Sequence, residues 1–395
     1  MPHSNTARRR PRRAAATAGA LAAALAVIGT AIPADAATGS ASAGTTAIGA
    51  ISTDATADAA ASARTGLDVM RPSGKPVVLR DAPRKLSVTY TYAGVERTLD
   101  EYLKATRTNG FVVLDGQDVV FERYSGASRT TRFQSWSVAK SFTSAAIGVA
   151  LKERRIRSID DPVTRYLPEL KGSGFDGVSI RNLLRMSSGI AWSEARDAPR
   201  MQALAERGRP LRNFAARQRR GWTPGSRFEY TSVNSFVLAR LITRTTGMPY
   251  HRYVQERIWK PAGMESTAFV GNDSSGDGLG YCCFHATSRD FARFGLLYLR
   301  DGKAHGRQVV PASWVRRSTS PSSAANPRYG LHWWLGGDGE RDFMAAGLGG
   351  QHVYVSREHG VVIAKSVISP PRGRPDQEEA LAVFRAVAAE VARTR

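Results

Sequence analysis

The strand-forming segments of this chain lie at its two ends, and that placement constrains the fold more than any other feature. Gly110–Asp115 and Val119–Tyr124 flank Asp115-Gly116-Gln117-Asp118, a hairpin signal. Near the other end, His352–Ser356 and Val361–Ile368 flank Arg357-Glu358-His359-Gly360 in the same way. Ser87–Tyr92 alternates as a further strand, and Leu99–Thr106 reads as a short helix. Asp376–Arg393 carries Leu381, Phe384, Val387 and Val391 at helical spacing. The middle, about 137–300, is mostly helices and loops. Strands at both ends with helices between predict an α+β fold. Its antiparallel sheet is built from both chain ends, with flanking helices packed on it and a helical subdomain inserted between. No repeat of fixed period is present.

The residues before this body read differently. Residues 1–36 have the form of an export signal: a basic stretch Ala7–Arg13, an apolar run Ala14–Ile32, and Ala34-Asp35-Ala36 as cleavage site. The run is short and closed by small residues, so it predicts cleavage and a secreted protein with no stable membrane anchor. The paired arginines leave both the general and the twin-arginine export routes open. Residues 37–84 are rich in Ala, Thr and Ser without hydrophobic period, which predicts a flexible spacer. The folded domain is expected over residues 85–395.

Composition removes several function classes. A 42% hydrophobic content excludes a disordered chain, and two cysteines in 395 residues exclude a disulfide-stapled scaffold. The net charge of +22 raises the question of an anionic partner. The cations are nearly all arginines, dispersed along the body, and no recognition motif accompanies them, so a nucleic-acid partner is not expected.

The sharpest chemical signal is Ser137-Val138-Ala139-Lys140 at a predicted helix start. Residues three apart on a helix share a face. A partly desolvated lysine loses proton affinity and can accept the serine proton, which activates the hydroxyl for attack on a carbonyl. The helix N-terminus adds N–H groups for the developing oxyanion. Behind the pair, Phe142, Ala145, Ala146 and Val149 form an apolar face, and Ser141, Ser144 and Gly148 keep the helix slim. An ordinary core helix with a capping serine fits these residues equally well on their own.

Two further segments complete a constellation. Pro224–Asn234 leads into a helix over about Ser235–Thr246, with Gly247 as stop signal. Tyr230 on that loop could present its phenol to a cleft. Beside a cationic lysine its pKa would fall, allowing it to shuttle a proton. Ala345-Ala346-Gly347-Leu348-Gly349-Gly350-Gln351 precedes the C-terminal hairpin, where glycines let a ligand approach the backbone.

Taken in order, Ser137-x-x-Lys140, Tyr230 with Asn234, and the Gly349-Gly350 strand resemble the penicillin-recognising serine hydrolases. Within them the chain is similar to class C β-lactamase-related hydrolases, particularly the 6-aminohexanoate-oligomer hydrolase-like group. Ile159–Val163, Tyr166-Leu167-Pro168, Ile180–Gly189 and Ala286–Gly295 carry the likeness further, so that it covers about residues 85–395. The resemblance implies the β-lactamase/transpeptidase-like fold, with Ser137 as acyl-enzyme nucleophile, Lys140 as base and Tyr230 as general acid/base. It implies an oxyanion hole from the N–H groups of Ser137 and Gln351. Ser232, Asn234, Leu348, Gly349 and Gly350 would contact substrate. It implies no metal and no cofactor, and a small-molecule or short-oligomer amide or ester as substrate.

Two departures matter. Ser232 stands where β-lactamases of this type have Asn, which here falls at Asn234. Leu348 is read as the first position of the third motif, usually Lys or His. Losing a cation that holds the β-lactam carboxylate removes about 1.5–3 kcal/mol, roughly one to two orders of magnitude in affinity. The expectation is weak or no β-lactamase activity. A D-alanyl-D-alanine peptidase or penicillin-binding protein is the second reading, and a catalytically silent binding protein on the same fold is the third.

Other residues read more simply. Cys282-Cys283 could form a vicinal disulfide in an exported protein, but two buried thiols are preferred. His285 reads as structural and Asp160-Asp161 as turn chemistry; Trp333-Trp334 could floor a substrate pocket, though core packing is the commoner use of such residues. Asp290 marks a helix start capped by Thr287 or Ser288.

Overall fold

The computed structural model describes residues 50–51, 66–337, 339–369 and 376–395. Its main sheet has seven strands: β1 (Arg80–Asp81), β2 (Gly110–Asp115), β3 (Asp118–Tyr124), β4 (Trp334–Leu335), β5 (Asp342–Gly347), β6 (Gln351–Ser356) and β7 (Val361–Ser366). Their spatial order is β4-β5-β6-β7-β2-β3-β1. The two ends of the body meet where β7 pairs antiparallel with β2, from Val361↔Asp115 to Ser366↔Gly110. Only the short edge strand β1 pairs in parallel, with β3.

Alternation along the central strands divides the core in two. Val112, Leu114, Val353, Val355, Val362 and Ala364 face one cluster, shared with helices α2 (Ala139–Lys152) and α5 (Ser288–Leu299). Phe111, Val113, Tyr354, Val361 and Ile363 face the other, against α1 (Leu99–Ala105) and α6 (Gln377–Arg393). There Leu381, Phe384, Val387 and Val391 form the buried stripe their spacing predicted. Both sheet faces are covered, which is why β2 and β7 are almost continuously apolar. α2 is buried from Ala139 to Ala150. Its small residues are needed for that: a Cβ on Gly148 would overlap the indole of Trp314. Between the ends lie α3 (Glu194–Glu206), α4 (Ser232–Thr246) and several shorter helices.

The expected strand near Ser87 forms as Thr89–Tyr92 and pairs with Val95–Thr98 in a separate hairpin before α1. The spacer boundary needs correction. Leu67–Met70 pairs antiparallel with Ala268–Gly271, in a second sheet with Phe284–Ala286, Arg132–Gln134 and Ala50–Ile51. Farther on, Val77 N–H donates to Gly263 O at 2.8 Å and Arg80 N–H to Gln117 O at 3.0 Å. Leu67, Met70, Val77 and Leu79 are buried, but too irregularly spaced to register as a strand or helix period. The expected leader and the rest of the spacer lie outside the described residues. No helix among the described residues is long and apolar enough to cross a membrane.

Candidate active site

Ser137 sits in a single 3-10 turn, Trp136–Val138, which runs directly into α2. Trp136 enters that turn at φ 45°, a left-handed backbone that a bulky residue adopts only when its surroundings impose it. One helical turn on, Lys140 Nζ donates to Ser137 Oγ at 2.9 Å and to the Tyr281 carbonyl at 2.9 Å. Lys140 is buried, and desolvation pulls its pKa down to about 8 although the Glu194 carboxylate opposes the shift. About a tenth of the amine is therefore neutral at pH 7, far more than for a free lysine, at hydrogen-bond distance from the hydroxyl.

Tyr230 is buried over the same pair. Its side chain hydrogen-bonds Ser137, and Lys140 Nζ lies 5.0 Å from its ring centroid. The ring stacks on Trp334 with centroids 5.7 Å apart. The expected fall in its pKa does not occur. Burial raises it, Glu194 adds to the rise, and the bond to Ser137 offsets only part. Tyr230 is thus a neutral phenol, fit to donate a proton and take one back.

Glu194, the first residue of α3, was not singled out from the sequence. It lines the cleft and accepts from Trp192 Nε1 at 2.6 Å, from Ser232 N at 3.0 Å and from the Ser232 hydroxyl. A lone glutamate in a helix's first turn reads as a dipole partner, and nothing in the pattern links it to Ser232. Of the expected substrate contacts, Ser232 lines the cleft and Asn234 does not. α4 begins at Ser232, so Asn234 already points into the core, where its amide meets Met186 Sδ at 3.9 Å.

The Gly-rich hairpin supplies the opposite wall. Gly347 faces the nucleophile's turn: a Cβ built on it would lie 2.5 Å from Ser135 O and 3.1 Å from Ser137 N. Gly347 O accepts from Gly350 N at 3.2 Å, so this carbonyl points into the hairpin turn. Across a trans peptide, the N–H of Leu348 then points the other way, toward the cleft. Leu348 therefore offers its N–H to the cleft beside Ser137. The Gln351 side chain is buried in a reciprocal pair, Nε2 donating to Val367 O and Oε1 accepting from Val367 N at 3.2 Å. Leu348, Gly349 and Gly350 line the cleft as expected, with Leu348 47% exposed at its rim.

These groups open onto a cleft of about 1760 Å³ that also touches Trp136, Tyr281, Cys282 and Trp334. Residues 95–388 match the family model described as Beta-lactamase. The chain belongs to the beta-lactamase family. It is a serine hydrolase with the β-lactamase/transpeptidase-like fold, as the resemblance implied. It is 29% identical over 295 residues to the 6-aminohexanoate-dimer hydrolase of Paenarthrobacter ureafaciens, covering 68% of this chain and 74% of that protein. A Bacillus anthracis structure, provisionally named a 6-aminohexanoate-dimer hydrolase, superposes with TM-score 0.73 at 24% identity. That match covers 84% of this chain and 91% of its own. The penicillin binding protein from Bacillus halodurans gives TM-score 0.58 at 15% identity, over 75% of this chain and 100% of its own.

Membership makes one register meaningful. β-Lactamases and penicillin-binding proteins carry a K-T-G element whose third residue is glycine. Gly347, the glycine that abuts Ser137, is the candidate for that position, a register that would set Ala345, where the sequence reading had Leu348, in place of the lysine. The motif remains without a cation. A second correction concerns Cys282 and Cys283, which are joined as a vicinal disulfide and are not two free thiols. Both remain buried, and they directly follow Tyr281, the acceptor for Lys140. Trp333 and Trp334 are both buried in the core, and Trp334 also lines the cleft. Among the described residues no group of three or more His, Cys, Asp or Glu could hold a metal ion.

Proposed function

We propose that this protein is an exported hydrolase that cleaves amide or ester bonds of small or short-oligomer substrates through an acyl-enzyme on Ser137. The observation that carries the reading is the buried Lys140 Nζ at 2.9 Å from Ser137 Oγ, beside Tyr230. Neutral Lys140 takes the Ser137 proton as Oγ attacks the substrate carbonyl. The N–H groups of Ser137 and Leu348 receive the oxyanion. Tyr230 gives its proton to the departing amine or alkoxide and regains one from the Lys140 ammonium. Water then attacks the acyl-enzyme and loses its proton through the same pair. The carboxylic acid departs, and Ser137 is restored with the proton balance closed.

The likeness to the Paenarthrobacter hydrolase, whose name specifies an aminohexanoate dimer, supports a linear amide of that class. The absence of a cation at Ala345 supports it too, since substrate binding then needs no carboxylate next to the scissile bond. The test is labelling with a fluorophosphonate, followed by turnover of p-nitrophenyl esters and an aminohexanoate oligomer. Wild type should label and turn over, and Ser137→Ala should do neither. Equal labelling of both sinks the reading.

A further inference from the structure

Lys140 is one of two lysines buried among the described residues; the other, Lys365, has no part in the steps above. Lys365 lies on β7 opposite His352 of β6, on the sheet face away from α2. Its Nζ donates to the Gly350 carbonyl at 3.0 Å and stands 5.6 Å from the Tyr102 ring centroid. Among the described residues no carboxylate pairs with it. Burial pulls its pKa down to about 7. An amine held this way is costly to bury, and groups so perturbed cluster at functional sites.

What it touches gives the reason. Gly350 O also accepts from His352 Nδ1 at 3.1 Å, in the tautomer that protonates that nitrogen. Gly349 and Gly350, at φ 77° and 92°, form the turn that carries the Leu348 amide. Two consecutive glycines impose little conformational preference of their own, so the direction of that amide depends on outside tethers. Gln351 ties the hairpin to Val367 on the α2 side, and Lys365 ties it from behind.

We infer that Lys365 is a positioning residue for acyl transfer: by donating to the Gly350 carbonyl it holds the turn that aims the Leu348 N–H at the oxyanion. The inference rests on the acyl-enzyme reading above. Loss of a whole oxyanion donor costs about 10²–10³ in rate. Loss of its tether, with His352 still in place, should cost about tenfold or more.

The experiment compares full-length wild type with Lys365→Met, which keeps length and apolar contact but removes the donor. Both are assayed for ester turnover and for the rate of fluorophosphonate labelling, with folding checked by circular dichroism and thermal melting. The expected result is a fall in kcat and in labelling rate of about tenfold or more, with KM changed less than about threefold. A folded variant with wild-type kcat, or one altered only in KM, overturns the inference. If Lys365→Met does not fold, Lys365→Gln, whose shorter stem withdraws the donor, is read by the same criteria. A wild type that neither labels nor turns over overturns the acyl-enzyme reading and this inference with it. A wild type that reacts alongside an unimpaired variant overturns the inference alone.

Discussion

Gly347 is packed against the amide of Ser137, so close that a Cβ on Gly347 would stand 3.1 Å from Ser137 N and 2.5 Å from Ser135 O. The contact fixes the two walls of the proposed oxyanion hole against each other, one from the start of α2 and one from the end of β5. A methyl group there must push the backbone of one wall away. Gly347→Ala should therefore cost about 1–3 kcal/mol of stability, the usual scale of overpacking. It should also slow fluorophosphonate labelling of Ser137 by at least ~10-fold. Thermal melts and labelling time courses read the two effects, and labelling at the wild-type rate would remove Gly347 from the site.

Lys140 and Tyr230 should separate activity from stability. Each moves a proton in the scheme, so Lys140→Met and Tyr230→Phe should lower kcat by at least ~10²-fold. Among the described residues no carboxylate bonds to the buried Lys140, its partners being Ser137 Oγ and the Tyr281 carbonyl. Replacing such an amine with an apolar residue of similar length tends to be neutral or stabilising. Lys140→Met should melt at or above the wild-type temperature while losing turnover. A variant that loses both together would indicate a structural lysine.

The proposed nucleophile was legible because its geometry is local: residues 137 and 140 meet through one helical turn, whatever the rest of the chain does. Tyr230 was found by its place in the order of motifs. The amides of the Gly-rich hairpin could not be ranked, because a run of Gly, Leu, Gly and Gly does not reveal which glycine lies against α2. The bond from Gly350 N to Gly347 O, which turns the Leu348 amide outward, exists only in the folded hairpin. Glu194 and Lys365 were invisible for a related reason. Their partners, Ser232 and Gly350, lie far off in sequence or across a strand pair, and neither motif requires them. The sheet was readable from its two hairpins. The early strand Leu67–Met70 was not, because its partner Ala268–Gly271 comes some two hundred residues later.

The pH dependence has a defined sign. Lys140 must be neutral to accept the serine proton, and its pKa is pulled to about 8 by burial, with Glu194 opposing. kcat/KM for an ester should therefore rise with pH along a limb centred near 8. Removing the carboxylate removes the opposing influence, so the Lys140 pKa falls further. Glu194→Gln, which keeps an oxygen acceptor for Ser232, should move that limb to lower pH. A profile that stays put, or moves to higher pH, would contradict the coupling of Glu194 to Lys140.

The third motif makes a prediction about β-lactams. A β-lactam's ring carboxylate lies beside its scissile bond, and the K-T-G lysine is the cation that helps hold it. On the register set by Gly347 that position is Ala345, which is buried, and the exposed residue three places on is Leu348. Neither can offer a charge-assisted bond, a loss of about 1.5–3 kcal/mol. The activated serine is nevertheless intact, so the deficit should appear in recognition and not in chemistry. A chromogenic cephalosporin should be turned over at least ~10-fold less efficiently, in kcat/KM, than a neutral p-nitrophenyl ester. The fluorophosphonate, which carries no such carboxylate, should label Ser137 readily. Cephalosporin turnover equal to that of the ester would mean that another cation reaches the carboxylate, and would return the penicillin-recognising readings to first place.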